Sequence, residues 1–131
     1  ISNPPFYQHE RSVLAKDSQR NMARATETLS YFDLFHSAER LITETGLFHL
    51  IIPVESEKDI LSAAYLNKIF PVKICRISPR AGKPENRLLL SFSKTEKELE
   101  MTNLTIRKEG KEYHDYTPEF VGLLKDYLII F

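Results

Sequence analysis

One cysteine, four glycines, no tryptophan and no surplus of either charge characterise this chain. Each scarcity removes a class of function. A lone thiol, Cys75, cannot close an intrachain disulfide, and so sparing a use of cysteine fits a cytoplasmic protein in which Cys75 is a buried strand thiol. The glycines stand at 46, 82, 110 and 122, too far apart for a loop that cradles a phosphate or a nucleotide cofactor. Eighteen basic and eighteen acidic side chains cancel. No global field therefore draws nucleic acid or membrane to the chain, and any such partner must meet a local patch. No apolar run reaches the roughly eighteen residues that span a bilayer, so no membrane partner is expected. His9, His36, His49 and His114 lack i, i+4 pairing and neighbouring cysteines; no metal site is expected, and His36 and His49 read as packed or hydrogen-bonded. The signatures of serine hydrolases and kinases are also missing.

What remains is 131 residues, 42% apolar, enough for one domain with one core. Ile1-Ser2 reads as the end of a buried strand, and with no Met before it the chain reads as the later part of a longer protein. Residues 8 to 28 are polar and read as a loop, or a loop with one weak helix. Ser30 and Asp33 then mark a helix start, with Leu29 and Leu34 placed as a hydrophobic staple. Tyr31, Leu34, Phe35, Ala38, Leu41 and Ile42 form its apolar stripe, and Gly46 is expected to end it in a left-handed conformation. Leu47 to Ile52 is a nearly continuous apolar run stopped by Pro53, as in a strand buried on both faces of a parallel sheet. A helix from Ser56 to Asn67 follows, with Ile60, Leu61, Ala64 and Tyr65 inward. Val72 to Ile77 and Arg87 to Phe92 flank a turn containing Pro79, Gly82 and Pro84, which predicts an antiparallel hairpin at the end of a parallel sheet. Lys94 to Glu100 reads as a solvated connector, Leu104 to Arg107 as a brief strand, and Glu109-Gly110 as a turn. Thr117-Pro118-Glu119 is a helix start, with Phe120, Leu123, Leu124 and Tyr127 as the packing face. The order is the back half of a doubly wound α/β sheet.

The chemistry concentrates in Asn3-Pro4-Pro5-Phe6. Two prolines lock two successive φ angles between a planar amide and a flat ring. The lone pair of an aromatic amine or amide nitrogen is delocalised, and such a nitrogen becomes a nucleophile when acceptors hold its N–H groups. The Asn3 side-chain oxygen and the Pro4 carbonyl suit that task, and Phe6 or Tyr7 can stack on a base for about 1–3 kcal/mol. Asn-Pro-Pro also serves simply as a stiff turn. Two local basic patches accompany the motif. Lys73, Arg76, Arg80, Lys83 and Arg87 face one acid, Glu85, and Arg11, Lys16, Arg20 and Arg24 are offset by Glu10 and Asp17. Both suit phosphate contacts, and both also suit a solvated surface.

Ile1-Ser2-Asn3-Pro4-Pro5-Phe6 resembles the fourth motif of class I S-adenosylmethionine-dependent methyltransferases that act on planar nitrogens. The likeness extends through Ala38 to Ile42, Gly46 to Pro53, Arg87 to Ser93, Leu104 to Arg107 and Tyr113 to the C-terminus, where the chain is similar to bacterial tRNA(Val) adenine N6-methyltransferases. The resemblance implies an α/β chain forming the C-terminal half of a Rossmann-like methyltransferase sheet, with residues 1–131 a portion of one methyltransferase domain. It implies tRNA as partner and S-adenosylmethionine as cofactor, the methyl passing directly to a flipped adenine of the anticodon loop. Asn3, Pro4, Pro5 and Phe6 would form the catalytic motif, Asn3 also meeting the cofactor, while Arg11, Lys16, Arg20, Arg24, Arg80, Lys83 and Arg87 would meet the RNA. The glycine-rich cofactor half is missing, so this piece alone is expected to be inactive and to bind the cofactor poorly. A protein glutamine amide or a DNA adenine presents the same planar nitrogen, and a noncatalytic interaction module is the reading from another class. Loss of the first strands would leave an open edge through which the piece self-associates.

Overall fold

The computed structural model of the protein describes residues 1–4, 30–110 and 115–127. Helix α1, Tyr31–Leu41, starts where the sequence places it: the Asp33 amide donates to Ser30 Oγ at 3.1 Å, closing the N-cap. It stops earlier than expected. Ile42 leaves the helix in an extended conformation, and Gly46 does not take a left-handed φ. Gly46 instead closes a tight turn, its amide donating to the Thr43 carbonyl at 3.0 Å, and an added Cβ would lie 3.0 to 3.2 Å from Thr43 atoms. Leu41, assigned to the apolar stripe, is 82% exposed because the chain departs at that point. The Leu29 staple lies outside the described residues.

Strand β1, Phe48–Pro53, buries Phe48, Leu50 and Ile52 and leaves the alternate residues half-buried. It is thus a strand with one core face, not two. A short 3-10 turn, Val54–Ser56, leads into helix α2, Glu57–Leu66. Ile60, Ala63 and Ala64 point into the core, whereas Tyr65, expected inward, is exposed and meets Phe70 edge-on instead. Helix α2 ends in a Schellman motif. The Ile69 amide donates to the Ala64 carbonyl and the Lys68 amide to that of Tyr65, both at 3.0 Å, with Lys68 at φ 55°. Ile69 is fully buried beyond the turn. Buried Asn67 donates from its side chain to the Ala63 and Phe32 carbonyls, joining the two helices.

The predicted hairpin forms from β2, Phe70–Ser78, and β3, Arg87–Ser93, and the Asn86 amide closes it on the Ile77 carbonyl at 3.0 Å. Its place in the sheet differs from the expectation. The order is β1-β3-β2-β4, so β3 inserts antiparallel between β1 and β2 instead of extending the edge. Strand β4, Glu100–Thr105, begins four residues before the expected Leu104 and pairs parallel to β2, from Lys73↔Glu100 to Ser78↔Thr105. The connector before it is not wholly solvated: the Lys94 ammonium lies 3.3 Å from Glu39 and 3.8 Å from Glu44. Helix α3, Pro118–Leu124, opens on Thr117, whose hydroxyl accepts from the Phe120 amide and donates to the Thr105 carbonyl. Its expected packing face is only partly used. Phe120 and Leu124 are half-buried, while Leu123 and Tyr127 are exposed.

Both long helices cover one face of the sheet. Phe35, with no exposed surface, meets Phe48 and Phe92 edge-on, the centroids 5.7 and 4.9 Å apart, and Leu50, Ile52, Leu88 and Leu90 complete the layer. The opposite face carries a cleft of about 700 Å³ lined by residues including Ile51, Cys75, Leu89, Leu104 and Leu123. Cys75 is therefore half-buried in that cleft wall, not sealed in a core. No described helix is long and apolar enough to cross a membrane.

Two substitutions test this packing by equilibrium denaturation. Phe35→Ala is expected to cost about 3–5 kcal/mol, as for a large aromatic removed from a closed core. Lys68→Gly is expected to stabilise by about 0.5–1 kcal/mol, since glycine takes a left-handed φ without the Cβ penalty; a loss of stability would contradict the Schellman assignment.

Candidate functional site

The site begins with a pair of backbone hydrogen bonds. The Ser2 amide donates to the His49 carbonyl at 2.8 Å, and the Ile51 amide to the Ser2 carbonyl at 3.4 Å, so Ser2 bridges Leu50 as a parallel neighbour of β1. The expectation that Ile1-Ser2 ends a buried strand is met in part: Ser2 forms an isolated parallel bridge, but it is only half-buried and Ile1 is fully exposed. Because β1, β2, β4 and the Ser2 segment all run the same way, their carboxyl ends share one edge, and Asn3-Pro4 emerges onto it. Pro4 is buried, which anchors the corner; Asn3 is exposed and its side chain has no hydrogen-bond partner among the described residues. This amide is presented to solvent beside the end of β1. Pro5, Phe6, Arg11, Lys16, Arg20 and Arg24 lie outside the described residues.

The basic hairpin divides into two halves. Arg76 donates to Glu57 at 2.6 Å, both side chains being about three-quarters buried (25% and 24% exposed), and Lys73 pairs with Glu100 at 2.8 Å. These two cations are neutralised within the fold and leave the expected patch. Arg80, Lys83 and Arg87 instead gather at the carboxyl edge, where the hairpin turn opens. Gly82, at φ 74° with nothing near an added Cβ, supplies the left-handed residue of that turn. Arg87 begins β3 and donates to the Asn86 carbonyl at 2.8 Å. Arg80 donates from Nη1 to the Lys108 and Gly110 carbonyls, and Lys83 stands exposed with no ion pair among the described residues.

Sequence reasoning missed Arg107. It follows β4 and joins Arg80 and Lys83 around a cleft of about 720 Å³, where Asn86 and Glu55 also stand. The parallel pairing of β2 with β4 creates this neighbourhood, and nothing local in the sequence announces that crossover. His49 takes the role expected of it, whereas His36 is exposed. His49 Nδ1 shares a hydrogen bond with Ser91 Oγ at 2.9 Å, and His36 stacks on Phe32. His9 and His114 lie outside the described residues, and among those described no three His, Cys, Asp or Glu side chains are grouped to hold a metal ion.

The described residues do not fit S-adenosylmethionine. Gly46 sits in a tight turn, Gly82 and Gly110 in separate open loops and Gly122 within α3, so no two combine into a cradle through which a nucleoside or its sulfonium tail could be held close to backbone. Asn3 alone, one exposed amide, does not make a cofactor site.

No protein-family model matches the chain. Among curated proteins it is similar to the tRNA1(Val) (adenine(37)-N6)-methyltransferases of Histophilus somni (37% identical over 130 residues), Mannheimia succiniciproducens (35% over 131) and Flavobacterium johnsoniae (32% over 130). These alignments cover 98 to 100% of the chain and 51 to 53% of each relative, so the chain spans about half the length of the curated relatives it matches. Among solved structures, a predicted O-methyltransferase of Agrobacterium tumefaciens superposes with a TM-score of 0.60 at 23% identity, covering 76% of this chain and 47% of that one. That likeness establishes the fold: a mixed, Rossmann-like α/β sheet.

The split of the basic hairpin is testable by denaturation. Arg76→Met strands a part-buried carboxylate and is expected to cost about 1.5–3 kcal/mol, whereas Lys73→Met, at an exposed pair, should cost no more than about 1 kcal/mol.

Proposed function

We propose that this chain, a homologue of one half of the tRNA1(Val) (adenine(37)-N6)-methyltransferases, is the substrate-gripping C-terminal portion of a class I methyltransferase that modifies the N6 amine of an anticodon-loop adenine in tRNA. The observation that carries the reading is the Asn3-Pro4 corner. It stands on the carboxyl edge of an open α/β sheet, where such folds receive ligands, with a buried proline behind it and in front an amide that has no partner among the described residues. The Asn3 side-chain oxygen and the Pro4 carbonyl accept from the two N–H groups of the adenine amine. Held so, the nitrogen takes a more tetrahedral form and its lone pair is released from the ring. Phe6 stacks on the base, and Pro5 stiffens the step between grip and stack. Most of the acceleration owed to this half is positioning. The methyl donor and its cradle belong to the part of the parent protein outside this chain.

Arg80, Lys83 and Arg87 on the same edge favour a nucleic acid over a protein amide, because they offer phosphates a cationic rim within one sheet edge of the grip. Arg11, Lys16, Arg20 and Arg24, which lie outside the described residues, would add further phosphate contacts on this reading. The apolar cleft on the other sheet face takes its cover from the rest of the parent. Separated from that cover, the chain self-associates through the open edge and face.

Two measurements follow. In the full-length parent, Asn3→Ala is expected to lower methyl transfer to an anticodon stem-loop by about 10² or more with the unfolding midpoint unchanged; near-normal activity would remove Asn3 from the mechanism. In sedimentation, residues 1–131 alone are expected to associate as concentration rises, and a stable monomer at high concentration contradicts the missing cover.

A further inference from the structure

The cleft beyond the hairpin turn has a geometry that the grip on the target base does not use. Its walls come from three carboxyl ends: Glu55 after β1, Pro79 and Arg80 after β2, and Ile106 and Arg107 after β4. Backbone bonds fix its shape. The Ala81 amide donates to the Arg107 carbonyl at 2.8 Å and the Ile106 amide to the Ser78 carbonyl at 3.0 Å, so the turn and the end of β4 are locked together. Arg80 Nη1 is committed to the Lys108 and Gly110 carbonyls, which orients the guanidinium while its Nη2 and Nε edge has no acceptor among the described residues. Arg107 lies over the Tyr116 ring at 5.4 Å from its centroid, and Tyr116 in turn stacks on Phe120 at 5.3 Å. Lys83 stands exposed at the mouth. Glu55 and Glu85 also line the cleft, yet neither forms an ion pair with these cations.

The geometry points to a subsite for a backbone phosphate of the RNA strand, several nucleotides from the target adenine, held by Arg80, Lys83 and Arg107. This rests on the function proposed above and names where its substrate is held. Two oriented guanidinium groups and an ammonium with no ion pair among the described residues match a phosphodiester, whose two unesterified oxygens accept several charge-assisted N–H bonds at once. Distance sets the register. The Ser2 segment and β2 are separated by β1 and β3, and three strand spacings amount to about 14 Å. A stacked strand rising about 3.4 Å per nucleotide covers that span in roughly four steps. The subsite therefore reads the stem side of a stem-loop and not the neighbours of the adenine.

Binding of RNA by the full-length parent tests this, with Lys83→Ala and Arg107→Gln as variants and two probes: an anticodon stem-loop, and a trinucleotide centred on the target adenine. With the stem-loop, each variant is expected to bind about 3- to 10-fold more weakly and to flatten the slope of log K against log salt by about 0.7–0.9. With the trinucleotide, too short to reach the cleft, neither should change affinity. Unchanged slopes in variants of a wild type that methylates the stem-loop overturn the subsite and leave the function standing. An equal loss with both probes also overturns it. A wild type that neither binds nor methylates the stem-loop overturns the function and the subsite together. The Lys83 side chain has no hydrogen bond or ion pair among the described residues, its backbone amide alone donating to the Arg80 carbonyl, so its variant decides even if Arg107→Gln unfolds the chain.

Discussion

Strand β3 is the constraint on which the rest depends. It pairs with β1 from Arg87 to Phe92 on one side and with β2 from Arg87 to Ser93 on the other, and its inward residues Leu88, Leu90 and Phe92 are almost wholly buried. An antiparallel strand placed there makes its two neighbours parallel to each other. With β4 parallel to β2, and Ser2 parallel to β1, every other strand end falls on one edge. The hydrophobic layer under Phe35 stabilises this arrangement, at roughly 25 cal/mol for each Å² of apolar surface withdrawn from water. The direction of the strands sets the candidate site: among the described strands only β3 runs the other way, so the Asn3-Pro4 corner and the basic cleft share an edge.

Much of the fold was legible because it is local. Caps at Ser30 and Thr117 obey short-range hydrogen-bond chemistry, and the hairpin from Phe70 to Ser93 announces itself by two apolar runs about a proline-rich turn. The errors have a common physical origin. The insertion of β3, the parallel β2 and β4 pair and the early start of β4 are set by contacts between residues far apart in sequence, where propensity has no voice. Tyr65 and Leu41 fit the helical period and still face solvent, because the helices are short and the chain turns away from the core after each. Gly46 was read by residue type as a helix terminator, while its real constraint is the close approach of Thr43.

The candidate site divides in the same way. Asn3-Pro4 was visible as a motif because its stiffness and its acceptors are properties of consecutive residues. The basic cluster was visible only as charge, and charge alone did not separate Lys73 and Arg76, held by Glu100 and Glu57, from Arg80 and Lys83, which have no acidic partner among the described residues. Arg107 entered only through the sheet. A site made by strand ends is a property of topology, so its members are scattered in sequence and adjacent in space.

The central claim is that the corner at the edge grips the exocyclic amine of an adenine in RNA. Its most direct test is the position of the methyl group after reaction of the full-length parent with labelled S-adenosylmethionine and an equal mixture of tRNA, duplex DNA and protein amide substrate. The account predicts label in the tRNA, on N6 of one anticodon-loop adenine, and no label when that base is replaced by purine, which lacks the amine. Label on a ring nitrogen, on DNA or on protein would contradict it.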